Sequence, residues 1–123
     1  MAISQSEIDD AIEFFSVIGP VTTRKMMGGL TIYAQDVTFA IYDPDSGYYL
    51  KSDAQTHDIF EEAGVSKFTF EMKDGKSATM NYYAMPEACY DDPDELLLWA
   101  RRSLDVALRA KPKARKKKSK TKN

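Results

Sequence analysis

The chain has 123 residues, room for one domain, and its formal net charge of -2 hides a strong segregation. All 19 acidic residues lie in positions 1–110 beside nine Lys and Arg, a net of -10, whereas positions 111–123 hold eight basic residues and no acid. A single cysteine (Cys89) and a single histidine (His57) exclude an internal disulfide and a Cys/His zinc site, and they point to a reducing compartment.

Ser4 followed by Glu7 is a capping-box pattern. Ile8, Ala11, Ile12, Phe15 and Ile18 then recur at helical spacing until Gly19-Pro20, which predicts an amphipathic first helix. From Arg24 onward the period changes to two. Leu30, Ile32 and Ala34 form one set and, after Gln35-Asp36, Val37, Phe39 and Ile41 form the next, which reads as a hairpin. Asp43-Pro44-Asp45-Ser46-Gly47 is a turn, and Tyr48-Tyr49-Leu50-Lys51 is the following strand. Ser52 and Asp53 are positioned to cap a short helix through Ile59 and Phe60, with Gly64 closing it in a left-handed conformation. Phe68, Phe70 and Met72, a turn at Asp74-Gly75, and Ala78, Met80 and Tyr82 make a second hairpin. Asp92-Pro93-Asp94-Glu95 opens a last helix in which Leu96, Leu97, Trp99, Ala100, Leu104, Ala107 and Leu108 form a wide apolar stripe.

This order, α-β-β-β-α-β-β-α, predicts a two-layer α+β domain over residues 1–110, an antiparallel sheet of about five strands with helices on one face. Repeated parallel crossovers do not fit, because the connections are too short. Residues 111–123 lack large apolar side chains and are expected to form a disordered lysine-rich tail. Met1 to Asp10 has neither a basic n-region nor an apolar core, and no apolar run reaches membrane-span length, so a cytoplasmic protein without membrane attachment is expected.

Three motifs fall in register with these elements: Arg24 through Gly28-Gly29 to Tyr33; Tyr49-Leu50-Lys51; and Tyr82-Tyr83-Ala84-Met85-Pro86 followed by Asp92-Pro93 and Leu96 to Arg101. Over about residues 10–109 the chain resembles the N-terminal domain of the TfoX/Sxy family of bacterial competence regulators, as a single-domain member. The resemblance implies a regulatory role in switching on DNA-uptake genes, with a protein of the transcription machinery as partner. It supplies no catalytic residue to transfer.

The residues themselves offer few candidates for chemistry. His57 reads as a solvated surface histidine and Cys89 as a small buried residue, so neither is assigned to catalysis, and no cofactor or metal site is expected. The Asp91-Asp92-Pro93-Asp94-Glu95 cluster reads as a helix start. Tyr33, Tyr42, Tyr83 and Trp99 could line a pocket between sheet and helices, although core packing explains them as well. Arg24, Lys25, Gly28 and Gly29 are the candidate interaction site: two cations beside Gly-Gly backbone could receive an acidic partner, or could protect a sheet edge. Lys111, Lys113, Arg115, Lys116, Lys117, Lys118, Lys120 and Lys122 are candidate non-specific contacts to nucleic acid.

Overall fold

The computed structural model describes residues 3–26, 28–71 and 77–110. Its first helix, α1 (Gln5–Phe14), starts where the capping box requires. The Glu7 amide donates to Ser4 Oγ at 3.1 Å, and the Ser4 amide donates to Glu7 Oε1 at 3.0 Å. A 3-10 turn (Phe15–Ile18) continues the helix. Ala11 and Phe15 are fully buried and Ile8 and Ile18 pack beside them, but Ile12, predicted inward, lies at the margin and is exposed.

Six strands, rather than about five, form one antiparallel sheet in the order β1-β2-β3-β4-β6-β5. They are β1 (Thr22–Met26), β2 (Gly29–Ala34), β3 (Val37–Asp43), β4 (Gly47–Lys51), β5 (Lys67–Glu71) and β6 (Ser77–Ala84). The additional strand is β1. It is an edge strand exposed at four of its five residues, so it has no alternation of apolar and polar side chains to betray it. Between β2 and β3, Gln35 and Asp36 both have positive φ (51° and 66°), as a two-residue type I′ hairpin demands.

The pairing also corrects the predicted phase of β3. Ile32 pairs with Ala40 but Tyr33 with Thr38, so Phe39 is the extra residue of a bulge. Phe39 and Ala40 consequently both enter the core, while Ile41, expected beside Phe39, joins Thr31 on the opposite face.

The described residues also form three further helices: α2 (His57–Glu62), α3 (Ala88–Asp91) and α4 (Pro93–Ala110). Gly64 follows α2 with φ +77°, as predicted. Asp92 caps α4, its Oδ1 accepting the Asp94 amide at 2.9 Å, with Pro93 in the first helical position. Leu96, Trp99, Ala100, Leu104 and Ala107 are buried as predicted, and Ser103 and Val106 widen the buried arc. Helix side chains pack with Leu30, Ile32, Ala40, Leu50 and Tyr83, which the registers place on one sheet face. Trp99 is 9% exposed against Phe60, whose ring stacks on Tyr83 at 5.0 Å between centroids. The other face carries Thr31, Tyr33, Ile41, Tyr49, Lys51 and Tyr82. There the Lys51 ammonium sits over the Tyr82 ring at 5.3 Å, and burial lowers its pKa. Among the described residues no helix is long and apolar enough to cross a membrane. The predicted Asp74-Gly75 turn and the tail 111–123 lie outside the described residues.

Candidate functional site

Strand β1 leaves the 3-10 turn at Gly19-Pro20 and pairs along its whole length with β2, from Thr22 opposite Tyr33 to Met26 opposite Gly29. Among the described residues its second side has no neighbour in the sheet order, so alternate residues direct backbone N–H and C=O groups outward. Arg24 and Lys25 stand on this edge, both exposed. Being consecutive, they project to opposite sheet faces: Arg24 shares the helix-free face with Thr31, and Lys25 the helix-covered side with Leu30. Among the described residues neither has an ion-pair partner.

The adjacent glycines serve the hairpin that presents these cations. Gly28 has φ +83°, in the left-handed region that favours glycine. Gly29 is needed for space, because a Cβ there would run into the carbonyl oxygen of Tyr42 on β3. The pair is thus explained by the turn and by close strand approach, without an anion. At the other end of β1, Thr22, Thr23, Arg24, Tyr33 and Asp36 line a shallow cleft of about 340 Å³. Among the described residues this edge therefore combines a side with no neighbouring strand, two cations without an ion-pair partner and a concavity.

A second polar cluster was not foreseen. His57, expected to be solvated, is half-buried, with Nδ1 2.9 Å from Ser52 Oγ and its ring 5.7 Å from that of Tyr83. The Ser52 hydroxyl also lies 2.8 Å from Thr56 Oγ1, and the Tyr83 hydroxyl donates to Glu61 at 2.7 Å. The loop folds this way because Asp53 organises it: its Oδ1 accepts the Gln55 amide, and its carboxylate receives Arg109 of α4 in a fork at 3.0–3.2 Å. Burial works to raise the Asp53 pKa. The Arg109 hydrogen bonds and charge, with the Gln55 amide and Thr56 hydroxyl, outweigh it and leave the carboxyl below its usual range. A Ser–His contact invites comparison with nucleophilic catalysis, but Ser52 is only 2% exposed and fully engaged, so it cannot present Oγ to a substrate. It orients His57 and closes the start of α2.

Other sequence candidates separate in space or lose reactivity. Cys89 is buried, and burial followed by the Glu95 and Asp92 charges pushes its thiol up to about 12. Tyr33 faces away from Tyr42, Tyr83 and Trp99, so those four line no common pocket. Strand alternation requires this separation, since Leu30, Ile32 and Ala34 occupy the helix side. Among the described residues no group of three or more His, Cys, Asp or Glu could hold a metal ion. The eight basic candidates from Lys111 to Lys122 lie outside the described residues.

The family model of the TfoX N-terminal domain matches residues 13–107, from the end of α1 through most of α4. The chain is also similar to Protein Sxy of Escherichia coli (strain K12), with 26% identity over 110 residues, covering 89% of this chain and 52% of that protein. The chain thus spans about half the length of the curated relative it matches.

Proposed function

The chain belongs to the TfoX N-terminal domain family, and from that premise we propose that it is a non-enzymatic regulatory module that binds a protein of the transcription machinery through its β1 edge. One observation carries the reading: on a body with a net charge of -10, two consecutive cations with no ion-pair partner among the described residues stand on an edge strand of the sheet. Such an edge attracts an acidic surface and offers it a hydrogen-bonding ladder. The family resemblance supports an output in gene expression. Burial of Ser52, the serine in contact with His57, and of Cys89, the single thiol of the sequence, supports a role without catalysis.

Genome-wide transcript levels in the native cell test the reading, comparing wild type, a deletion, and Arg24→Glu/Lys25→Glu at matched protein abundance. The double reversal should reproduce the transcript changes of the deletion. A transcript profile indistinguishable from wild type would remove β1 from the function. His57→Ala and Cys89→Ser should each leave the profile unchanged, and loss of regulation in either folded variant would overturn the non-enzymatic assignment.

A further inference from the structure

We propose that β1 receives an extended acidic segment of another protein as a seventh strand, with two consecutive acidic residues across from Arg24 and Lys25 and an apolar residue across from Met26. The proposal rests on the reading of β1 as the docking edge and names what docks there.

The geometry sets the pattern. In an added strand, residues directly opposite share a face, so neighbours on β1 meet neighbours on the ligand. Arg24 and Lys25 project to opposite faces, and only two adjacent acidic residues can answer both. Met26 returns to the face of Arg24, is 39% exposed, and has Sδ fixed by a hydrogen bond from Thr31 Oγ1 at 3.3 Å. An apolar residue beside the acidic pair would cover it. At the far end Asp36 lines the cleft with Thr22 and Thr23, which keeps a third acidic residue away and fixes the register.

Charge also decides between occupants. If a second copy paired antiparallel through β1, a register centred on Arg24 or on Lys25 would set that cation directly against its own twin. Like charges directly opposite are destabilising, so the central registers of self-pairing are disfavoured and an acidic partner is favoured. The other edge of the sheet is not equivalent. β5 has a register break between Lys67 and Thr69, an irregularity that interrupts a docking ladder, whereas β1 keeps continuous register over five residues.

Random heptapeptides displayed on phage and selected on the full chain at about 0.15 M salt test the pattern, and the enriched peptides are then titrated into isotope-labelled protein. Enriched sequences should contain two adjacent Asp or Glu next to an apolar residue. They should shift and protect from exchange the amides of Thr22–Met26. Arg24→Gln/Lys25→Gln should retain the wild-type circular dichroism while weakening binding at least about tenfold, and Arg24→Lys/Lys25→Arg should preserve it. Enrichment without adjacent acidic residues would overturn the proposal, as would amide changes confined to β5, to the face of Tyr33 and Tyr49, or to the basic residues 111–123. The two readings fail separately. A regulatory loss in the charge-reversed strain without peptide pairing at β1 removes strand addition alone. Peptide pairing at β1 without any transcript change removes the regulatory role alone.

Discussion

Gly29→Ala probes whether Gly28-Gly29 is there for the fold or for a ligand. Gly29 has no left-handed φ, so alanine incurs no dihedral cost; the damage is steric, a methyl group driven into the Tyr42 carbonyl across the β2–β3 ladder. Backbone cannot swing aside as a side chain can. Strand separation of roughly an ångström costs about 1–3 kcal/mol as overpacking, and a weakened ladder hydrogen bond adds about 1 kcal/mol. A loss of about 2–4 kcal/mol is therefore expected, a large share of the roughly 5–15 kcal/mol available to a small domain. Gly64→Ala is the control. Its φ of +77° costs alanine about 1–2 kcal/mol, partly offset by the smaller entropy of its unfolded chain, and beyond its chain neighbours no atom of the described residues lies within 4 Å of the added Cβ. Urea unfolding followed by Trp99 fluorescence should rank Gly29→Ala well below Gly64→Ala. Equal stability of Gly29→Ala and wild type, within about 0.5 kcal/mol, would refute the close strand approach and return the glycine to the list of ligand contacts.

Arg109→Ala should cost no more than about 1 kcal/mol near neutral pH, because the ion pair is largely solvated, with side chains 39% and 30% exposed. Since folding depresses the Asp53 pKa, this contribution is present above the unfolded carboxylate value and is lost as pH falls through the folded one. The wild-type and variant stabilities should therefore converge below about pH 4, and a gap that widens on acidification would contradict the assignment. Native Cys89 should resist iodoacetamide at mildly alkaline pH and react fully in denaturant, as mass spectrometry would show; rapid native labelling would argue against its burial. Duplex DNA binding by the full chain should be insensitive to sequence and vanish on deletion of residues 111–123. Its slope of log K against log salt should lie near -4.5 to -7 if about five to eight phosphates are neutralised. Sequence-selective binding by residues 1–110 would overturn that expectation.

Much of the fold is legible in the sequence because burial there follows simple periods. α4 announces itself through Asp92-Pro93 and a stripe centred on Ala100, and the β2–β3 hairpin through alternation on both sides of Gln35-Asp36. What escapes has no periodic signature. β1 is exposed on both faces, so only its pairing with β2 defines it. The bulge at Phe39 inverts the phase of β3 without any glycine to mark it. His57 gains its partner because the Asp53–Thr56 turn brings Ser52 back over the start of α2, a closure made from polar loop residues. The cations of the candidate site were visible as a pair, but their projection to opposite faces follows only from the register.

The edge is also held in place before any partner arrives. Tyr42 occupies the position opposite Leu30, and its carbonyl limits Gly29, so the turn that carries β1 rests on β3. Its hydroxyl donates to Glu7 of the α1 capping box at 3.1 Å, and its ring lies 4.9 Å from that of Tyr48. The Ser4 backbone amide and this Tyr42 hydroxyl hold the Glu7 carboxyl below its ordinary pKa, so it remains an ionised acceptor. One residue thereby ties the β1–β2 hairpin to the first helix and to the aromatic cluster of Phe14, Phe15 and Tyr48. A strand fixed in this way loses little conformational freedom when a second strand pairs with it, and that reduces the entropic cost that weakens short extended ligands. The acidic pair supplies attraction and the fixed edge supplies register. A five-residue strand needs both to select a partner.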